Sequence, residues 1–387
     1  MEEWKTYKIG NLCSISSSKR IFAKEYQSSG IPFFRGKEII EKQKGESVST
    51  ELYISKSRYD EIKNKFGVPK EGDMLLTSVG TLGIPYIVKN ETFYFKDGNL
   101  TWFTDFKEIN SKFLYYWFLS PIAKNAINAK AIGSTQKALT IDALSKFEID
   151  IPNIDTQNRI VSILSSLDSK IELNRRINDN LEQQAQALFK AWFVDFEPFK
   201  GEKFVESQLG MIPEGWKVGT LSDLLDIRYG KDHKKLNDGN IPVYGSGGVM
   251  RLADGILYNG ESVLIPRKGT LNNVLYVNCP FWTVDTMFYS IEKVPNVAKY
   301  CHLLLSKLDL ASMNSGSAVQ SMTTDILNKI QVIVANQDVF RSFNECISSL
   351  YLKAKINLDE NKQLSETRDL LLPKLMSGGL IIKDLHS

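Results

Sequence analysis

The sequence predicts an α+β protein built from two copies of one α+β domain, separated by two long helices that pair as an antiparallel coiled coil. Three observations predict it. A Gly-Ser segment with the apolar strand behind it occurs twice, at Gly133 and Gly316, an offset of 183 residues. Smaller matches keep the same order along both copies, the signature of a duplicated unit. Each copy is followed by apolar residues spaced alternately four and three apart, the period of a helix with one buried seam.

The repeat is read element by element. Gly133 to Leu144 matches Gly316 to Leu327, and Phe147 to Ile151 matches Ile330 to Val334. Both stretches predict a short helix followed by an apolar strand. Upstream, Trp4-Lys5 echoes Trp216-Lys217, and Ile31-Pro32-Phe33-Phe34 echoes Ile241-Pro242-Val243-Tyr244. Gly72 to Leu76 echoes Gly260 to Leu264, and Gly80-Thr81-Leu82 echoes Gly269-Thr270-Leu271. Short apolar runs between Gly and Pro turns, such as Met74 to Leu76 and Val263 to Ile265, predict strands of a mostly antiparallel sheet. An apolar helix follows in each copy, Lys112 to Ser120 and Ala298 to Leu308. The aromatics Phe113, Tyr115, Tyr116, Trp117 and Phe118 are expected to face their own core, because their neighbours are apolar too.

In the first long helix the seam reads Ile160, Leu164, Leu167, Ile171, Asn174, Asn178, Leu181, Ala185 and Leu188. In the second it reads Phe343, Ile347, Leu350, Ala354, Asn357, Asn361, Leu364, Arg368 and Leu371. Asn174, Asn178, Asn357 and Asn361 occupy the same two seam positions in both. A seam Asn sacrifices stability but fixes register, because it must find a hydrogen-bond partner. Antiparallel packing brings these Asn residues together; exposed Asn on two unrelated amphipathic helices is the alternative. Asp155 or Thr156 is expected to cap the first helix and Asn336 the second. Pro198 follows the first helix, and Pro373 with Gly378-Gly379 closes the second. Trp192, Phe193 and Phe196, at the end of the first helix, fit either a cap on the coiled coil or a protein interface. The boundaries are 1–152 and 214–335 for the domains, 153–198 and 336–387 for the helical regions, and 199–213 for a linker.

Bulk composition excludes several classes. Lys and Arg total 48 against 45 Asp and Glu, a net charge of +3, so binding by global basic charge is excluded and any anion site must be local. Cys13, Cys279, Cys301 and Cys346 form no C-x-x-C pair, which argues against a zinc ribbon or disulfide framework. The start does not read as a signal peptide and no apolar run reaches membrane-spanning length, so a cytoplasmic protein without a membrane partner is expected. There is no phosphate-binding G-x-x-x-x-G-K-[ST], no H-E-x-x-H, no dinucleotide fingerprint, and no Asn-Pro-Pro-aromatic motif of the kind adenine methyltransferases use.

Three segments carry a family resemblance across essentially the whole chain. They are Ala187-Leu188-Phe189-Lys190-Ala191-Trp192-Phe193-Val194-Asp195-Phe196, Leu209-Gly210-Met211-Ile212-Pro213-Glu214-Gly215-Trp216, and Leu371-Leu372-Pro373-Lys374-Leu375-Met376-Ser377-Gly378. Together they resemble the specificity subunit of type I restriction–modification systems. The family's Pro-Pro-Leu and Glu-Gln segments before each helix survive only as Pro152 with Gln157, and as Gln337. The resemblance implies two target-recognition domains that read an asymmetric bipartite site in double-stranded DNA. It implies no catalysis and no cofactor in this chain. Two modification (methyltransferase) subunits and the restriction subunits are the implied partners, and S-adenosylmethionine, ATP and Mg are expected on them. Ile160 to Leu188 spans 29 residues, roughly 43 Å as a helix, against roughly 34–36 Å for one turn of B-DNA. Two heads on such a strut would reach half-sites about a turn apart. A duplicated methyltransferase or nuclease with an unrecognised site, and a scaffold that binds proteins rather than DNA, are the rival functions.

Candidate DNA contacts follow from residue chemistry. Ser134, Thr135, Gln136 and Lys137 precede a short helix capped by Thr140; Gln suits adenine, and Lys suits guanine or phosphate. Ser317 and Gln320 are their counterparts. Ser78, and Arg267 with Lys268, sit in equivalent Gly turns after a strand. Arg35 and Lys37 follow the Ile31 to Phe34 strand, where the second copy has Tyr244, Ser246 and Gly247-Gly248. Lys231, His233, Lys234 and Lys235 form a basic cluster with Lys231 and Lys234 the phosphate candidates; no partner is visible that would make His233 a catalytic base. Each set fits a bland role as well, as turn, cap or solvated charge. No metal site is expected.

Overall fold

The computed structural model describes residues 4–46, 48–131, 137–313 and 321–380. The chain forms two compact units, Met1–Asn174 with Leu358–Ser387, and Arg175–Asn357. Both long helices are divided between the units, each unit holding one half of each helix.

In the first unit the strand Lys5–Lys8 pairs antiparallel with Glu148–Ile151 and brings the two ends of the domain together. A four-stranded antiparallel sheet runs in the order Ser14–Ser16, Leu100–Thr104, Met74–Thr77, Pro85–Ile87. A second sheet places Ile31–Phe34 between Tyr53–Ile54, antiparallel, and Tyr94–Phe95, parallel. The strand Met74–Thr77 is buried along its whole length because both faces are covered. Successive side chains point to opposite faces. Met74 and Leu76 therefore join the core under the helix Ser111–Leu119, with Phe103, Phe113 and Trp117. Leu75 joins a separate cluster with Phe34, Tyr86 and Phe95.

The second unit repeats this plan. Lys217–Thr220 pairs with Gln331–Val334 as the closing strands. Val263 and Ile265 join the core under the helix Ala298–Ser306, while Leu264 faces Val277, Phe281 and Met287. Ile241–Gly245 runs parallel to the end of Leu275–Thr283, as Ile31–Phe34 does to Tyr94–Phe95. Here the long strand Leu275–Thr283 does the work of two short strands in the first unit, so one six-stranded sheet replaces two sheets. The stretch read as a linker folds as a hairpin, Phe204–Ser207 with Gly210–Pro213.

The long helices are Ile154–Phe193 and Gln337–Met376, 40 residues each. The cap of the first is Asn153, whose Oδ1 accepts from Thr156 N–H at 2.9 Å; Asp155 and Thr156 already lie inside the helix. Asn336 caps the second as expected, accepting from Val339 N–H at 3.0 Å. These caps stand 183 residues apart, so the repeat was the better guide to the first one. Pro373 does not end the second helix but lies within its last turn, where its missing N–H removes only one helical bond. The chain turns at Gly378, with φ +68°, under the Trp4 ring. Phe193 is core rather than interface: its ring meets Trp216, Tyr300, Phe340 and Phe343 within the second unit.

The helices run antiparallel in both units. In the first, Asp168 meets Arg368 and, six residues on, Asn174 meets Asn361. In the second, Asn178 meets Asn357 and Phe193 meets Phe343. Asn174 and Asn357, equivalent in the repeat, are both buried. Asn174 Nδ2 donates to Asn361 Oδ1 at 2.9 Å, and Asn357 Nδ2 donates to Asn178 Oδ1 at 2.8 Å. Among the described residues no helix is long and apolar enough to cross a membrane.

Candidate nucleic-acid interface

Two sequence features far apart in the chain meet in each unit. In the first, the strand Met74–Thr77 runs out into Ser78, Val79 and Gly80. Ser78 C=O accepts from Leu139 N–H at 2.9 Å, and Gly80 N–H donates to Lys137 C=O at 3.2 Å. Val79 and Ala138 thus form an antiparallel bridge. In the second, Lys268 and Ser321 form the equivalent bridge, and Met322 N–H donates to Arg267 C=O at 2.8 Å. Gly80 and Gly269 complete the turns at φ +80° and +83°, a region that strains any residue with a Cβ. Beyond each bridge a threonine caps a short helix, Thr140 onto Ala143 N–H and Thr323 onto Ile326 N–H. Ser134, Thr135, Gln136, Ser317 and Gln320 lie outside the described residues; Lys137 is described and exposed.

The first unit adds the helix Gly36–Lys44 to this end of the sheet. Arg35, Lys37, Glu41, Val79, Thr81 and Asn99 are among the walls of an open cleft of about 580 Å³. Charge here is largely compensated. Arg35 Nη2 pairs with the buried Glu38 Oε1 at 2.7 Å. Burial alone would raise the Glu38 carboxyl, but hydrogen bonds from the Arg35 side chain and backbone together hold it below its usual range. Lys37 lies 3.6 Å from Glu41 and donates to Ser49 Oγ at 3.1 Å. Ser78 differs from the expectation: it is buried, and its hydroxyl is engaged with Thr101 Oγ1 at 2.6 Å, so the side chain is not displayed on the surface.

The second unit presents less compensated charge. The Arg267 guanidinium lies 5.4 Å over the Tyr229 ring and donates to Asp285 C=O at 3.2 Å. Lys231 is anchored through its backbone, which donates to Thr283 C=O and accepts from Trp282 Nε1, both at 2.9 Å. Its side chain, like those of Lys234, Lys235 and Lys268, is exposed and forms no ion pair among the described residues. The tip Ser246-Gly247-Gly248 is tied to this turn by Asn273 Nδ2, which donates to Ser246 C=O at 2.7 Å. Tyr244 is half-buried, its ring edge-on to Phe281, so packing accounts for it. His233 Nδ1 is buried with no hydrogen-bond partner among the described residues.

Tyr229 and Asn273 were missed in the sequence. The signal for Tyr229 was its place at the end of a strand beside Lys231; nothing marked Asn273.

Residues 1–183 and 213–338 match the family described as the type I restriction modification DNA specificity domain. The chain belongs to that family. Among curated relatives of this specificity family, the type I restriction enzyme MjaIX specificity subunit of Methanocaldococcus jannaschii is 28% identical over 429 aligned positions, covering 99% of this chain and 95% of the relative. The HindI specificity subunit of Haemophilus influenzae is 26% identical, covering 65% of this chain and 72% of the relative. The fold is also that of a type I restriction–modification S subunit from M. genitalium, with a TM-score of 0.57 and 20% identity over 97% of this chain and 96% of the other. As a specificity-family member the chain recognises DNA and does not itself catalyse.

Proposed function

We propose that the two domains read the two unlike halves of one bipartite DNA site. The strand-end faces with the paired turns are the reading surfaces, the helices set the spacing, and their outer faces dock two methyltransferase subunits and, through them, restriction subunits. The observation that carries this reading is the recurrence, in both units, of a Gly turn bridged to the residues before a capped helix, with different side chains displayed around it. One scaffold bearing two sets of side chains is what unlike half-sites require.

The helices supply a spacer of fixed register, since the Asn pairs, each with one buried member, hold each half of the coiled coil to one alignment. Each helix is roughly 60 Å long at ~1.5 Å per residue, ample against one turn of B-DNA. Cations at the reading faces neutralise phosphates, and uncharged polar and apolar groups among them discriminate base edges. The methyl donor S-adenosylmethionine, and ATP with Mg for cleavage, belong to the partner subunits. There each target adenine is flipped from the stack and methylated.

Mapping methylated adenines in cells with and without this chain tests the reading. The expected result is a bipartite motif, with an unread gap, that is methylated only when the chain is present. A continuous motif, or methylation that does not depend on the chain, overturns it.

A further inference from the structure

Packing does not explain the edge of the six-stranded sheet in the second unit. The edge strand is Gly248–Ala253, paired only with Ile241–Gly245. Val249, Met250 and Leu252 on it are 55%, 58% and 39% exposed. Edge strands that face only water are usually blunted with charge or proline, not lined with apolar side chains. The pairing also slips: Val243 opposes Arg251 while Tyr244 opposes Val249, which leaves Met250 as the extra residue of a bulge. A bulge re-aims a side chain and is favoured beside functional sites. Gly245 makes room for the result, because the Met250 sulfur lies 2.5 Å from where a Cβ on Gly245 would be.

This strand begins at the reading face. Its hairpin tip is held by the Asn273 bond to Ser246, and Ser246 Oγ stands 2.6 Å from where a Cβ on Gly269 would be. Val249 and Met250 thus follow directly on the turn beside Arg267 and Lys268. In the first unit the chain at the equivalent point enters the helix Gly36–Lys44 behind Arg35, with no such apolar tip. Among the described residues the feature belongs to one head alone, as a determinant of one half-site would.

We propose that Val249 and Met250 read the C5-methyl groups of thymines in the half-site of the second domain. In the major groove that methyl is the distinctive apolar group on a base edge, and apolar side chains recognise it by contact. Lys231 and Lys268, exposed cations near the tip that form no ion pair among the described residues, favour a polyanionic occupant. Methionine suits the role, since its flexible thioether adapts to an irregular surface. The proposal rests on the DNA-reading function and adds the chemistry of one half-site.

The test uses the full chain, purified with whatever subunits accompany it, and duplexes selected by binding. Each thymine of the selected site is replaced in turn by deoxyuridine, which removes only the methyl. At one or two positions of a single half-site, affinity should fall about fourfold per methyl, the value of one buried methyl-sized group. In Val249→Ser with Met250→Ser those positions should lose their sensitivity, while Met250→Leu keeps it. Both substituted residues are exposed, and an unchanged thermal transition shows that the variant folds. A selected half-site without thymine, or equal uracil sensitivity in wild type and variant, overturns the proposal and leaves the patch to a protein partner. Failure to select any duplex overturns the DNA-reading function as well.

Discussion

The two units place the same joint in the same position and build it from different chemistry. Asp168 and Tyr351 are equivalent in the repeat, and each links a long helix to the apolar helix of its own domain. In the first unit Asp168 accepts from Tyr116 OH at 2.7 Å and from Arg368 Nη1 at 2.9 Å. Burial and the Asp168 carboxylate push the Tyr116 phenol well above its ordinary range, so it remains a donor. In the second unit Tyr351 OH lies 2.7 Å from His302 Nδ1, a link between neutral groups. Burial lowers His302 from its ordinary 6.5 to about 4. Nearby, Lys299 bridges Glu261 at 3.0 Å and Asn344 at 2.8 Å. The comparison teaches that duplication preserved the contact but not its means, so the two joints should respond differently to pH and salt.

The comparison breaks most sharply at the helix ends. Phe193 and Met376 are equivalent in the repeat, and both are buried. Phe193→Ala empties the ring cluster of the second unit and should cost about 3–5 kcal/mol. Met376→Ala should cost about 2–5 kcal/mol in the first. Hydrogen exchange resolved along the chain, compared for residues of each unit, should show which unit each variant loosens.

Acid should distinguish the joints next. The folded protein keeps His302 neutral down to about pH 4, whereas an unfolded chain protonates it near 6.5. Its contribution is complete above 6.5 and is lost as pH falls toward 4, because the unfolded state binds the proton first. The loss should reach about 3 kcal/mol at most. His302→Phe should remove this part of the pH dependence of stability; an unchanged acid profile would speak against a buried neutral histidine.

Salt should separate them more gently. Asp168→Ala leaves Tyr116 and Arg368 without their shared acceptor and should cost about 1–2 kcal/mol. The penalty should shrink in high salt, since both Asp168 and Arg368 are partly exposed. Tyr351→Phe should cost about 0.5–1.5 kcal/mol, with no salt dependence. Smallest is the expected contrast between cations at the reading faces. Lys268→Ala should lower the slope of log affinity against log salt by about one. Arg35→Ala should change it less, because Glu38 already neutralises that charge.

Much of this fold was legible because a repeat states each element twice. The strand runs Met74 to Leu76 and, at the equivalent place, Val263 to Ile265, the seam Asn residues and the cap Asn336 could all be read from spacing alone, though the second strand extends over Tyr258–Pro266. Errors arose where backbone geometry decides among chemically similar neighbours. Asn153, Asp155 and Thr156 are all good caps, and only the position of the first helical bond chooses Asn153. Pro373 looks like a stop, yet a helix tolerates it where few bonds remain to be lost. The candidate site was less legible. A serine in a Gly turn looks exposed, but Ser78 is drawn under the sheet by its bond to Thr101. Whether a cation is free or neutralised depends on contacts such as Arg35 with Glu38, which the residues alone do not rank. The bulge that exposes Met250 is a matter of register, which composition does not record.

Replacing residues 214–335 with the equivalent segment of another family member, and mapping the adenine-methylation motif before and after, tests the central claim most directly. If two independent readers share one scaffold, one half of the motif changes while the other half and the gap stay the same. A motif that changes in both halves, or in neither, would contradict it.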